Sequence, residues 1–391
     1  MARRILTLNQ ISLKGLERLP REGYEVASEF AHPDAILLRS HKLQAADIAE
    51  SVLAIGRAGA GVNNIPVADC TQRGIPVFNS PGANANAVKE LVAAGLLLGS
   101  RGVVDGLEYV QGLAQITDAA ELNKTLEANK KHFKGNELRG KTLGVVGLGA
   151  IGSLVADMAL TLGMEVIGYD PALSVDAAWR LSSQVRKADS LAVLFARSDY
   201  VTLHLPALES TRGLINAELL GAMPAHACLL NFARQEIVDE AALLVALENK
   251  QLRKYIADFP SPALIGCKNA LLMPHIGAST DEAEDNCAIM AADQLRDFLE
   301  NGNIRNAVNF PSLQLERAGG CRLAVTNHNV PKILGRVLSI LAELDINVID
   351  MLNKSRDNIA YNLIDMDICP AEASLSSMRA LEGVINVRVI P

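Results

Sequence analysis

The chain has 391 residues, of which 49% are apolar, 21% charged and 4% aromatic; 37 basic against 44 acidic side chains leave a formal charge of −7. This composition describes a globular chain long enough for two or three cores, and it excludes collagen, coiled coil and a disordered tail. No basic run offsets the acidic balance, which excludes a nucleic-acid partner, and no apolar run reaches the ~20 residues of a membrane helix, so no membrane partner is expected.

In chain order, the first eight residues carry Arg3 and Arg4, but the apolar run breaks at Asn9 and Gln10, too soon for a signal-peptide core, and a cytoplasmic protein is expected. From Ile5 to about Gly99, short β-rich runs alternate with helical stretches. Residues 35–38 and 74–78 read as strands and 45–50 as helix, the rhythm of an α/β domain. Val88 to Leu113 predicts one long helix with Gly95, Gly99, Gly102 and Gly106 at three- and four-residue intervals, a surface suited to close packing by another helix or a second subunit. Lys141 to His275 repeats strand, turn and helix as a doubly wound parallel sheet does. A further helix, Thr280 to Asn301, stops at Gly302 and is expected to return to the first domain.

The expected division is therefore a discontinuous domain (residues 1–99 and 288–316), a nucleotide domain (100–287), a polar Gly-Gly-ended linker (311–320) and a separate module (320–391). The module reads βαββαβ, the ferredoxin-like order. The six cysteines (Cys70, Cys228, Cys267, Cys287, Cys321, Cys369) show no C-x-x-C pair or metal spacing and read as buried apolar filler; no metal is expected.

Gly147-Leu148-Gly149-Ala150-Ile151-Gly152 follows the strand 142–146 and opens a helix, and a second strand ends at Asp170. In this context the first glycine makes the turn, the second admits a pyrophosphate, and the third seats helix on strand; the acid accepts the ribose hydroxyls. An acid there repels a 2′-phosphate, and Pro171-Ala172 supplies no Arg to receive one, so NAD is expected rather than NADP.

Three further segments complete a pattern: Arg57-Ala58-Gly59-Ala60-Gly61-Val62-Asn63-Asn64, the stretch Asn231-Phe232-Ala233-Arg234 leading into Gln235 to Leu243, and Met273-Pro274-His275-Ile276-Gly277. With the glycine turn they resemble the D-isomer-specific 2-hydroxyacid dehydrogenases over nearly all of the first 310 residues. The resemblance implies two Rossmann-like domains, with Arg234 anchoring a carboxylate and His275 exchanging the hydroxyl proton, roles that suit a forked guanidinium and an imidazole. It further implies cofactor contacts from His204, Pro206, Ala233, Asp258 and Gly277. Substrate contacts would come from Arg39, Ser40, Arg57, Gly59 and Asn84, as in family members that oxidise D-3-phosphoglycerate; an extra cation suits a phosphorylated 2-hydroxy acid.

One departure is visible: family members carry a Glu between the acid at position 258 and the His, and here residues 259–274 contain no Asp or Glu. Either Glu282 or Glu284 swings in, or His275 acts without that partner. The C-terminal module resembles an ACT domain, which implies an amino-acid effector near Asn327, Asn329 and Asn347 and paired copies, hence a homodimer or homotetramer. Asn327 stands where a His is common, and Lys332 where Gly usually leaves room, which bears on serine inhibition. Two alternatives remain open: a dehydrogenase for another D-2-hydroxy acid such as glycerate or lactate, and a catalytically silent NAD-binding regulator.

Overall fold

A computed structural model describes residues 2–318 and 320–390; the terminal residues of the expected domains, Met1 and Pro391, and Gly319 of the expected linker lie outside them. The chain forms two compact units, Met1–Asn84 with Thr280–Pro391, and Ala85–Ser279.

In the first unit, β1 (Arg3–Leu8), β2 (Tyr24–Ala27), β3 (Ala35–Leu38), β4 (Ala54–Arg57) and β5 (Val77–Phe78) form a parallel sheet in the order β2-β1-β3-β4-β5. All four residues of β3 are buried, as a parallel strand covered on both faces requires. Residues 45–50, expected as helix, give only a 3-10 turn, Ala45–Asp47.

The second unit begins with α1 (Ala85–Ser100) and holds β6 (Thr142–Val146), α2 (Ala150–Thr161), β7 (Glu165–Tyr169), β8 (Arg186–Lys187), β9 (Tyr200–Leu203), β10 (Cys228–Asn231), β11 (Lys254–Ala257) and β12 (Ala270–Leu272). The parallel order β12-β11-β10-β9-β6-β7-β8 reverses direction beside β6, where doubly wound sheets bind nucleotides.

The long helix expected over 88–113 is broken: α1 ends at Ser100 and a second helix, Val103–Gln111, starts after Gly102. The amide of Gly102 donates to the Phe133 carbonyl, and a Cβ on Gly102 would lie 3.0 Å from the Phe133 Cα. Gly95 and Gly99 face Phe232, Leu230 and Ile256 of the same unit. The glycine spacing thus serves packing inside the unit, and α1 itself lies with the nucleotide sheet.

Returning to the first unit, α3 (Asp281–Asn301) is capped by the Thr280 side chain, which accepts from the Ala283 amide, and stops at left-handed Gly302 (φ 73°). Its Ala288, Ala291, Leu295, Phe298 and Leu299 enter a core with Ile5, Leu37, Ala54, Phe78 and Phe310.

β13 (Cys321–His328), α4 (Ile333–Glu343), β14 (Val348–Arg356), β15 (Ile359–Met366), α5 (Glu372–Arg379) and β16 (Val384–Ile390) form the expected ferredoxin-like module, an antiparallel sheet in the order β14-β15-β13-β16. One face packs on α4 and α5 through Leu323, Val325, Val337, Leu341, Ile364 and Met378. The other face is covered over most of β13 and β15, while Lys354 to Arg356 of β14 stay exposed. Ala324, Tyr361, Leu363 and Ile390 join the α3 core, and the expected linker is drawn in with them, since its Leu313 is 0% exposed, close to Phe310 at 1%. A second correction concerns the cysteines, since Cys321 and Cys369 form a disulfide across 48 residues of sequence. Cys70, Cys228 and Cys287 are buried, as filler should be, whereas Cys267 is only partly buried. Among the described residues no helix is long and apolar enough to cross a membrane, and no cluster of His, Cys, Asp or Glu is arranged to hold a metal.

Candidate active site

The glycine turn is built as its residues require. Gly147 has φ 88°, and a Cβ there would come within 2.5 Å of the His204 carbonyl oxygen; a Cβ on Gly152 would come within 1.9 Å of the Gly147 oxygen. Gly149, the N-cap of α2, faces open space, with nothing within 4 Å of its would-be Cβ. Ala150 and Ile151 open α2, presenting its first amides at that opening. Asp170 leaves β7 and accepts from the amides of Leu148 (2.9 Å, Oδ2) and Ala172 (3.0 Å, Oδ1). A carboxylate has about four lone-pair sites, so two ribose hydroxyls can still be accepted. Beside it lies a cavity of about 530 Å³, lined by Leu148, Asp170, Pro171, Leu181, Arg186 and Ala188 among others.

Two polar groups at strand ends carry incomplete hydrogen bonding. His204 follows β9; its Nε2 lies 3.0 Å from Thr202 Oγ1, while Nδ1 is buried with no partner. Burial pushes its imidazole down to about 3, so the ring is neutral at physiological pH. Pro206, two residues on, accepts from Thr211 Oγ1 through its carbonyl (2.6 Å). Asp258 follows β11 and is 1% exposed; its Oδ2 accepts from the Gly277 amide at 2.8 Å, while Oδ1 has no partner. Burial raises its carboxyl above the usual range, and the Gly277 amide and the charges of His275 and Arg234 pull against that rise. Asp258 therefore senses both candidate catalytic side chains.

Arg234 follows β10 as the N-cap of a 3-10 turn, and its Nη1 donates to the Ala233 carbonyl (2.6 Å). Asn231, fully buried, holds this turn: its Nδ2 donates to the Arg234 carbonyl (2.9 Å) and the Tyr255 hydroxyl (3.2 Å), and its Oδ1 accepts from the Ala233 amide (3.1 Å). His275 stands at φ 52°, with its ring centroid 4.7 Å from that of Phe259. The roles of Asn231 and Phe259 escaped the sequence reading. An Asn at a strand end three residues before the Arg, and an aromatic directly after the acid, are the signals that could have found them.

In the first unit, Arg39 follows β3 with Ser40 beside it, and Arg57 ends β4. Arg57 Nε donates to the Arg39 carbonyl at 3.1 Å, and Gly59 leaves room for the Arg57 guanidinium, whose Nη1 would lie 2.2 Å from a Cβ there. Asn84 closes the sheet-bearing segment. Arg39 Nη1 also pairs with Glu284 Oε2 at 2.7 Å. Of the acids expected as substitutes for the missing Glu, Glu284 is thus engaged by Arg39.

In the module, Asn327 is buried, accepts from Asn362 Nδ2 (2.8 Å) and donates to the His328 carbonyl (2.7 Å); Asn329 donates to the Asp357 carbonyl (3.2 Å). Asn347 precedes β14 and pairs with Asp367, at the opposite end of the sheet. Lys332 sits at φ 76°, a conformation that suits glycine.

Comparison with known proteins agrees with this geometry. Residues 107–277 match the family model described as D-isomer specific 2-hydroxyacid dehydrogenase, NAD binding domain. D-3-phosphoglycerate dehydrogenase of Escherichia coli (strain K12) is 32% identical over 99% of this chain and 97% of its own length. The enzyme of that name from Synechocystis is 38% identical over 72% of this chain, which spans about half (49%) of that longer protein. Among solved structures, NAD+-bound 3-phosphoglycerate dehydrogenase of Entamoeba histolytica shares 29% identity and a TM-score of 0.62 over 79% of this chain and 99% of its own. The chain belongs to the D-isomer-specific 2-hydroxyacid dehydrogenase family. Within that family it is an NAD-dependent dehydrogenase, and its full-length likeness is to the phosphoglycerate enzymes.

The nucleotide unit fits that cofactor. The open face at Gly149, the unfilled acceptor capacity of Asp170, and the partnerless atoms of His204 and Asp258 are what a pyrophosphate, a ribose and a carboxamide would engage. Gly152→Ala is expected to abolish NAD binding, because its methyl cannot fit 1.9 Å from the Gly147 oxygen. Titration of protein fluorescence with NADH checks this.

Proposed function

We propose that this chain oxidises D-3-phosphoglycerate to 3-phosphooxypyruvate with NAD, the step that opens L-serine biosynthesis. The observation that carries the substrate assignment is the pair of arginines at the ends of β3 and β4, joined by the Arg57 to Arg39 hydrogen bond. They are cations additional to Arg234, and a substrate with a carboxylate and a phosphate needs both sets. Ser40, Gly59 and Asn84 accompany them.

In this reading Arg234 grips the carboxylate through parallel hydrogen bonds, which its held turn pre-orients, and so fixes which face of C2 is presented. His275 accepts the hydroxyl proton, its ring steadied by Phe259. NAD, when bound, supplies the hydride acceptor. Gly147, Gly149, Ala150, Ile151 and Gly152 would hold its pyrophosphate and Asp170 its ribose, with His204, Pro206, Ala233, Asp258 and Gly277 around the remainder. The proposed amino-acid effector site uses Asn327 and Asn329; Asn347, at the far end of the same sheet, would have to come from a second copy, which ties that site to a homo-oligomer.

The test is formation of NADH from NAD and 3-phosphoglycerate. Arg39→Ala or Arg57→Ala should raise KM for the phosphorylated substrate by about 10- to 100-fold, the scale of losing a charge-assisted phosphate contact, and leave that for D-glycerate nearly unchanged. Equal effects on both substrates would favour the unphosphorylated hydroxy acid.

A further inference from the structure

The phosphate-binding role given to Arg39 leaves one contact unexplained. Glu284, in the first turn of α3, places Oε2 2.7 Å from Arg39 Nη1. The neighbouring Asp285 is committed elsewhere, to Ser12 and to Lys14 Nζ at 2.6 Å. Glu284 is therefore an acid of that turn applied to Arg39. Cys287, one turn further along α3, lies close to the same charges: burial raises its thiol, and Arg57, Arg39 and Glu284 act on it in smaller measure.

A carboxylate on a guanidinium is a resident anion. An incoming phosphate must take its place, and it then faces a displaced like charge a few ångströms away. The pair is open to solvent at both ends, with side chains 36% and 41% exposed, so it can be opened at modest cost. A phosphate group carries about −1.5 to −2 charges and three acceptor oxygens against one charge for a carboxylate, so it is the kind of anion able to win that exchange.

We propose that Glu284 sets the affinity of the phosphate subsite: its carboxylate occupies Arg39 until a substrate phosphate displaces it, which lowers affinity for anions that bind at Arg39 and leaves substrates that do not reach Arg39 untouched. The proposal rests on the phosphate role of Arg39 given above. It assigns Glu284 no part in proton transfer.

The experiment measures two things in the full-length protein and in Glu284→Gln. One is KM and kcat for 3-phosphoglycerate and for D-glycerate. The other is calorimetric binding of inorganic phosphate. Glu284→Gln keeps size and hydrogen-bonding capacity but removes the charge. KM for 3-phosphoglycerate should fall roughly fivefold, the scale of a half-exposed ion pair, with the change in KM and not in kcat and with little effect on D-glycerate. Phosphate binding should tighten by a similar factor, and both gains should vanish in Arg39→Ala/Glu284→Gln, since the two residues act as one unit. If KM rises and phosphate binding weakens, Glu284 positions Arg39 instead and the proposal is overturned; unchanged values overturn it equally. Should the wild-type protein not turn over 3-phosphoglycerate at all, the substrate reading fails, and the phosphate titration alone still decides whether Glu284 competes with anions at Arg39.

Discussion

His275→Asn is expected to lower kcat by about 10²- to 10⁴-fold while leaving NADH binding within a factor of about two, the range that a positioned proton acceptor contributes. Asn is the informative replacement. His275 holds φ 52°, a left-handed conformation that Asn tolerates far better than Ala, so the backbone of the Pro274 to Gly277 turn should survive. The neighbouring Gly277 amide can then keep its 2.8 Å bond to Asp258, which preserves the proposed cofactor side of the site. Steady-state rates with NAD and 3-phosphoglycerate, paired with fluorescence titration by NADH, separate loss of chemistry from loss of binding. A residual kcat above about a tenth of wild type would mean that another group takes the proton.

Arg322→Met is expected to destabilise the first unit by about 3–5 kcal/mol, the cost of stranding one charge of a buried pair. Arg322 and Asp365 are both 0% exposed and meet through two bonds, Nε to Oδ1 at 2.6 Å and Nη2 to Oδ2 at 2.8 Å. The remaining guanidinium hydrogens reach the carbonyls of Asn301 and Leu315 (both 2.9 Å) and Glu316 (3.1 Å). One side chain thus ties β13 and β15 to the end of α3 and to the segment that leads into the module. Arg322→Met/Asp365→Leu should recover most of the loss, because no charge is then left without a partner. Urea unfolding followed by circular dichroism measures both; a double variant as unstable as the single would show that the carbonyl contacts, not the charge pair, dominate.

The same pair sets a pH dependence with a definite sign. Burial alone would raise the Asp365 carboxyl, but the Arg322 guanidinium and the Ala318 amide outweigh it and hold it below the usual carboxylate range. The folded protein therefore binds this proton less readily than the unfolded chain. The stabilisation is fully present above the ordinary carboxylate pKa of about 4 and is lost as pH falls through the lower folded value. In Arg322→Met the unpaired buried carboxylate titrates in the opposite sense. The gap in stability between wild type and variant should therefore narrow as pH falls from about 7 towards about 4.

Much of this architecture is legible in the sequence, for identifiable reasons. Parallel strands covered on both faces read as unbroken apolar runs, as in Ala35–Leu38, and the helix cap residues Thr280 and Gly302 mark the ends of α3 unambiguously. The glycine turn announces itself because backbone geometry admits no other residue at Gly147 and Gly152. What was not legible depends on long-range contacts. The apolar period runs on through residues 101–102, where packing against Phe133 breaks the helix. The Cys321–Cys369 bond joins cysteines 48 residues apart, with no local spacing to betray it. The docking of the module was half written: β15 is buried at all eight positions, a pattern that asks for cover on both faces, yet nothing local says what provides it.

That docking bears on how the protein can be dissected. At 21 residues and about 1.5 Å each, α3 is a rod roughly 30 Å long, with Glu284 near one end. At the other end its carbonyls are clasped by the module: Arg388 reaches Phe298 (2.7 Å), Arg322 reaches Asn301, and the Tyr361 hydroxyl reaches Gly302 (2.8 Å). A chain cut after Glu316 would keep every strand of the five-stranded sheet and still bare Phe298, Leu299 and Phe310 while stripping those carbonyls of their donors. The C-terminal module is in that sense a keystone rather than an appendage, and a shortened protein lacking it should be insoluble.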